Sequence, residues 1–104
     1  MIVTRHAYKR LKERSGLNKK SVTRIAEKAF QEGIRHSDVK GNLKKWMNNV
    51  YLRNSNANNL RIYGDKLFVF AGDTLITVLQ VPSKFANHMD DYLKKSVEEI
   101  NEKK

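Results

Sequence analysis

Apolar and polar residues alternate in only one stretch of the chain, residues 60–82, with the sequence LRIYGDKLFVFAGDTLITVLQVP. The stretch is also rich in β-branched and aromatic side chains, and alternation of this kind is typical of β-strands. The pairs Gly64-Asp65 and Gly72-Asp73 divide it into three segments, and a two-residue loop that begins with glycine suits a hairpin turn. The pattern therefore predicts an antiparallel three-stranded meander.

Two-residue loops fix the register that we expect in this meander. The expected pairs are Leu60 with Val69, Ile62 with Leu67, Val69 with Ile76, and Leu67 with Val78. These pairs give the sheet one apolar face. On the other, mixed face, Arg61, Phe68 and Thr77 are expected in one row across the strands, with Tyr63 and Lys66 beside them. We expect the functional residues of the sheet on this mixed face.

Helical periodicity dominates the rest of the chain, where apolar residues recur at spacings of three and four. The pattern predicts helices over residues 4–14 and 18–32, a third that begins at Ser37 or Asp38, and a fourth after Ser83. Ile2-Val3 could add a short edge strand. We therefore predict a single α+β domain over residues 1–104, with three N-terminal helices, a three-stranded antiparallel meander and a C-terminal helix, the helices packing on one face of the sheet.

Helix boundaries are predicted from residues that cap helices. Thr4 and Asn18 are good N-terminal caps, because their side-chain oxygens can accept a hydrogen bond from a backbone N–H of the first turn. Gly16 and Gly33 are suited to the carboxyl ends of the first two helices.

The positive charge of the chain is concentrated in one half. The formal net charge is +10, and residues 1–53 carry 14 lysines and arginines against four acidic residues, whereas residues 54–104 carry seven of each. Segregated positive charge attracts polyanions. We expect nucleic acid as the partner, with RNA favoured over DNA. The predicted nucleic-acid-binding residues are Arg5, Lys9, Arg10, Lys12, Lys19, Lys20, Arg24, Tyr63 and Lys66.

Other kinds of chemistry receive little support from the sequence. There is no cysteine, which excludes a disulfide framework and thiolate metal sites. The three histidines, His6, His36 and His88, fall on different predicted segments without metal-ligand spacing, so neither a metal site nor a cofactor is expected. No apolar run is long enough to span a bilayer or to act as a signal peptide. We expect a cytoplasmic protein with no membrane partner.

Metal-independent cleavage of RNA needs a proton acceptor, a proton donor and cations around the phosphate. His6, on a helix rich in lysine and arginine, is a candidate for the general base. Arg61 and Thr77 are candidates for contacts to the scissile phosphate.

The stretches TRHAYKRLKERSG and NNLRIYGDKLFVFAGDTLITVLQVP resemble the barnase/EndoU/colicin/RelE-like superfamily of small ribonucleases, in particular its phage-type and uncharacterised clostridial members. The resemblance implies a metal-independent endoribonuclease of toxin or phage type, and it carries over His6, Arg61 and Thr77 as catalytic residues. The second histidine that EndoU-type members use has no equivalent in this chain.

A function without catalysis also fits the sequence. The cationic helices are suited to binding nucleic acid, or to binding a protein whose activity they inhibit. The first two predicted helices are joined by a short glycine-containing turn, as in a helix-turn-helix. A neutralising or target protein is then a second kind of partner.

Overall fold

The computed structural model describes residues 1–85, which form five strands and three α-helices. In chain order the elements are β1 (Ile2–Val3), α1 (Arg5–Ser15), α2 (Lys19–Glu32), β2 (Ile34–Arg35), α3 (Gly41–Arg53), β3 (Asn59–Tyr63), β4 (Lys66–Ala71) and β5 (Thr74–Gln80). Short 3-10 helices span His36–Asp38 and Ser83–Phe85. The C-terminal helix predicted after Ser83 falls on residues outside those described.

The five strands form one mixed sheet in the order β1-β5-β4-β3-β2. β1 is parallel to β5, and the other neighbouring pairs are antiparallel. The prediction of a three-stranded sheet was therefore wrong, although its three strands form the centre. The short edge strand that Ile2-Val3 could add is confirmed as β1. The other edge strand, β2, was not predicted, because its two residues are too few for a period of two to be recognised in the sequence.

Helices cover both faces of the sheet, so the prediction that they pack on one face was also wrong. α3 covers the face that carries Leu60, Ile62, Leu67 and Val69, and contributes the buried side chains Leu43, Met47 and Val50. α1 and α2 cover the opposite face, where Ala7, Leu11, Val22, Ala26 and Ala29 pack against Phe68, Phe70, Leu75 and Val78. The mixed face is thus closed by helices, because its aromatic residues need burial as much as the aliphatic ones on the α3 face.

Two helix starts agree with the capping pattern, and one does not. Thr4 and Asn18 cap α1 and α2 by accepting hydrogen bonds from the backbone N–H groups of Ala7 and Ser21. The third helix begins at Gly41 instead of Ser37 or Asp38, since residues 36–38 form a separate 3-10 helix.

A β-bulge in β5 changes the predicted register. Leu75 pairs with Phe70, but the next pair is Thr77 with Val69, which leaves Ile76 without a partner on β4. The predicted pairs between β3 and β4 are confirmed, whereas those of Val69 with Ile76 and Leu67 with Val78 were wrong. A bulge inserts one residue and redirects the side chains that follow it. Thr77 consequently lies opposite Val69, on the α3 face, and not in a row with Phe68.

Gly33 lies where the end of α2 approaches β3 closely. A Cβ atom on this residue would lie 2.5 Å from the carbonyl oxygen of Ala29 and 2.8 Å from the Cβ of Arg61. We expect Gly33→Ala to lower the free energy of unfolding by about 1–3 kcal/mol, because overpacking forces the neighbouring backbone to move. Urea denaturation measures the change.

Gly16→Ala is the comparison for this prediction. A Cβ on Gly16 would meet nothing within 4 Å, so only the left-handed φ of 62° disfavours the substitution. We expect this strain to lower the free energy of unfolding by about 1 kcal/mol. An equal or smaller loss in Gly33→Ala would contradict the close approach.

Candidate nucleic-acid site

α1 lies along the edge of β5 because its first turn is attached to the bulge. The Thr4 hydroxyl accepts from the N–H of Ala7 at 3.1 Å and donates to the carbonyl oxygen of Ile76 at 3.2 Å. Beyond Leu75, no strand within residues 1–85 pairs with this edge of β5. The side chains of α1 that flank its buried stripe therefore reach past the edge toward the α3 face.

His6 contacts Thr77 across this edge. Its Nε2 atom lies 3.1 Å from the Thr77 hydroxyl oxygen, and the two residues are 71 positions apart in the chain. Thr77 is only 8% exposed, whereas His6 is exposed. The buried hydroxyl thus fixes the orientation of an imidazole ring that remains accessible to solvent.

A cleft of about 510 Å³ opens beside this pair, between α1, β5 and the last turns of α3. Its polar lining is His6, Arg10, Arg53, Asn54, Thr77 and Gln80, and its apolar lining is Trp46, Val50, Ile76 and Leu79. We call it the His6 cleft. Within the described part of the chain, cationic and neutral side chains line it and no carboxylate does. A cleft with this lining is suited to an anion such as a phosphodiester.

The helical spacing of α1 and α3 brings the cations to the His6 cleft. His6 and Arg10 are four residues apart and lie on the same side of α1. Arg53 lies seven residues after Trp46 and three after Val50, so these residues share a side of α3. A guanidinium group from each helix is therefore available to one bound phosphate or to two neighbouring ones.

Arg61 occupies a different part of the molecule. It lies opposite Phe68, on the face covered by α1 and α2, and one strand separates it from β5. It donates hydrogen bonds to the carbonyl oxygen of Gly33 at 2.8 Å and to the side chain of Asn59 at 3.2 Å. Burial, followed by the nearby charge of Arg35, lowers the pKa of Arg61. The structure thus brings His6 and Thr77 together but places Arg61 in the packing between α2 and β3.

The other predicted binding residues lie outside the His6 cleft, with the exception of Arg10. Tyr63 and Lys66 pair next to the β3–β4 turn, where Lys66 bonds Asp65 at 2.9 Å and Tyr63 contacts the ring of Phe68. The Lys66 hydrogen bond, followed by one from Gln80, lowers the pKa of Asp65. These two residues therefore take part in local contacts at the turn.

The remaining predicted cations lie on the outer surface of α1 and α2. Arg5 and Lys19 line a hollow of about 420 Å³ together with Tyr8, which we call the Tyr8 hollow. Exposed side chains extend this positive surface, and they belong to Lys9, Lys12, Lys20 and Arg24. The cationic residues thus form two surfaces, one on each side of α1.

Sequence reasoning missed Arg53, Trp46, Asn54 and Gln80 as site residues. The spacing of Trp46, Val50 and Arg53 on one side of α3 was visible in the sequence. It became informative only when the structure placed that side against the edge of β5.

Neither a metal site nor a membrane-spanning helix is found among residues 1–85. No group of three histidine or acidic side chains there is arranged to hold a metal ion. None of the helices there has the length and apolar character needed to cross a bilayer.

The resemblance to small ribonucleases stays a prediction. Comparisons of the chain with protein-family models, with curated proteins and with solved structures find no match.

Proposed function

We propose that the protein binds RNA in the His6 cleft and cleaves it without a metal ion. The observation that carries the proposal is the convergence of His6, Arg10 and Arg53, from two different helices, around one cleft. The net charge of +10 supports an anionic partner, and the accessible histidine is the side chain that most often serves in general acid–base catalysis. The proposal includes a cytoplasmic location.

The contact with Thr77 suggests how His6 acts. In the neutral tautomer with its proton on Nε2, the ring donates to the Thr77 hydroxyl, and Nδ1 is free to accept a proton. Nδ1 takes the proton of a ribose 2′-hydroxyl, and the 2′-oxygen attacks the adjacent phosphorus. The bond to the 5′-oxygen then breaks, which leaves a 2′,3′-cyclic phosphate. Water supplies the proton to the departing 5′-oxygen, and the hydroxide that remains takes the proton from the imidazolium, which restores the neutral ring.

The two arginines stabilise the charge that develops during this step. The pentacoordinate phosphorane carries more negative charge on its equatorial oxygens than the ground-state diester does. Guanidinium groups held at the rim of a cleft offer two charge-assisted hydrogen bonds each to such oxygens. Thr77 acts through His6 in this scheme and is a positioning residue.

Binding tests the location of the RNA. We expect the double variant Arg10→Ala/Arg53→Ala to reduce the slope of log affinity against log salt concentration by about 1.4, because each phosphate contact on a single strand contributes about 0.7. Fluorescence anisotropy with a labelled RNA that has 2′-O-methyl groups measures affinity without cleavage.

The matched control is Lys20→Ala/Lys28→Ala, which removes the same charge from exposed positions on α2. Its slope is expected to stay near that of the wild type. Equal slopes for the two double variants would place the RNA outside the His6 cleft.

A second candidate function is nucleic-acid binding without cleavage, through the outer surface of α1 and α2. The observation that favours it is the Tyr8 hollow, which combines an aromatic ring with Arg5 and Lys19. Lys12 approaches the same ring, with its Nζ atom 5.9 Å from the ring centroid. This candidate predicts that the α2 control variant, and not the cleft variant, lowers the slope of log affinity against log salt concentration.

A further inference from the structure

Trp46 lies where two clefts meet. It lines the His6 cleft, and it also lines a second cleft of about 470 Å³ with Asn42, Lys45, Asn49, Lys84 and Phe85. We call the second one the Lys45 cleft. The indole is partly exposed and packs against the core between α3 and the sheet. One aromatic side chain is therefore shared by two neighbouring openings on the same side of the protein.

The Lys45 cleft has the chemistry of a nucleic-acid groove. Among residues 1–85, its lining consists of two lysines, two asparagines and two aromatic rings, without a carboxylate. The ring centroids of Trp46 and Phe85 are 6.3 Å apart at an interplanar angle of 43°, and the Lys84 Nζ atom lies 5.2 Å from the Phe85 centroid. Phe85 is buried, so the partly exposed Trp46 is the ring that a base can reach. Cations beside an aromatic surface allow phosphates and bases to be bound together.

α3 joins the two clefts through its helical spacing. Asn42, Lys45, Trp46 and Asn49 follow the i, i+3, i+4, i+7 pattern of one side of a helix. Arg53 continues this side into the His6 cleft. Polar and cationic groups thus extend along α3 on both sides of the indole.

We propose that Trp46 stacks with one unpaired base of a single-stranded RNA that runs from the His6 cleft into the Lys45 cleft. The proposal rests on the proposed function and specifies its substrate class. The bases of a double helix are stacked on each other and are not available to an indole in a concave surface. A single strand presents both its phosphates and the faces of its bases.

The sequence contains one tryptophan, so the intrinsic fluorescence of the full chain reports directly on Trp46. The first probe is a single-stranded cytidine oligonucleotide with 2′-O-methyl groups, and the second is an abasic oligonucleotide of the same length and charge. We expect the first to quench the tryptophan fluorescence strongly and the second to leave it nearly unchanged. Equal quenching by the two probes would overturn the proposal.

Affinity provides the second measurement. Trp46→Leu is expected to weaken binding of the base-bearing oligonucleotide about 10-fold and to leave binding of the abasic one unchanged, because only the first has a base that can stack on the aromatic side chain. Trp46→Phe keeps an aromatic ring and should retain most of the affinity. Melting temperatures show whether each variant is folded, and where the Leu variant does not fold, the difference in quenching of the wild type by the two probes decides the test.

The outcomes separate this proposal from the one on which it rests. If Trp46→Leu binds both oligonucleotides like the wild type while Arg10→Ala/Arg53→Ala still lowers the salt slope, stacking fails and RNA binding in the His6 cleft stands. If neither oligonucleotide binds the wild type, both proposals fail. Quenching by a poly-glutamate peptide that matches the quenching by RNA would assign the clefts to an acidic peptide and overturn the proposal.

Discussion

His6→Ala is expected to slow RNA cleavage in the presence of EDTA by about 100-fold or more and to leave RNA affinity within a few-fold of the wild type. The reason is that a general base acts on the rate of proton transfer and contributes little to ground-state binding. Cleavage of a fluorogenic RNA under single-turnover conditions measures the rate, and anisotropy measures the affinity.

His36→Ala is the matched control, because it removes a histidine that bonds Asn48 and contacts the ring of Tyr51 away from the His6 cleft. Its cleavage rate is expected to equal that of the wild type. A wild-type protein that binds RNA but leaves it intact would exclude catalysis and favour the binding function.

Thr77 provides a finer test of the same chemistry. Thr77→Val keeps the shape of the side chain and removes the hydroxyl that bonds His6, so the rate should fall less than in His6→Ala. Thr77→Ser, which restores a hydroxyl, should recover most of the loss. A shift in the acidic limb of the pH–rate profile in Thr77→Val would separate a positioning role from a purely structural one.

Val69→Asp is expected to unfold the domain. Val69 lies at the middle of β4, is fully buried and packs in the cluster beneath α3. An unpaired carboxylate at such a position costs several kcal/mol, which is comparable to the total stability of a small domain, about 5–15 kcal/mol. Loss of the cooperative thermal transition in far-ultraviolet circular dichroism would show the effect.

Two further variants make this test specific to burial. Lys66→Ala, in the same strand, removes a salt bridge to Asp65. The Asp65 side chain is 63% exposed, so the loss of the salt bridge should change the free energy of unfolding by less than about 1 kcal/mol. Val69→Thr keeps the shape of the side chain, and its loss of stability should lie between those of Val69→Asp and Lys66→Ala. A cooperative transition for Val69→Asp close to that of the wild type would contradict the position of β4 in the core.

The central strands could be predicted from the sequence because their signals are local. Alternation over residues 60–82 and the two Gly-Asp turns were sufficient to find β3, β4 and β5 and to pair β3 with β4. The caps of α1 and α2 depend on residues within one turn of the helix, and these too were found.

The bulge could not be predicted, because either register pairs apolar residues. Without it, Val78 would lie opposite Leu67; with it, Leu79 lies there and is equally apolar, while Thr77 takes the place of Ile76 opposite Val69. Two hydrogen bonds from residues some 70 positions away accompany the observed register, one from Thr4 to Ile76 and one between His6 and Thr77. No short-range pattern contains this information.

Only part of the site could be predicted, because its geometry also depends on the bulge. His6 and Thr77 were chosen by residue type, and their contact depends on the bulge. Arg61 was placed with Thr77 only by the register that the bulge changes. Arg53 was overlooked because the third helix was not expected to face the edge of the last strand.

The parallel pairing of β1 with β5 has a consequence for the order of folding. Residues 2–6 contact residues 73–77 through one strand pair and two side-chain hydrogen bonds. These contacts close a loop that contains the whole chain between the two segments. Such loops form late, since their entropic cost is met only after the enclosed elements have folded. During synthesis, α1 emerges from the ribosome long before its partner strand. The His6 cleft is therefore absent from any nascent chain that ends before β5.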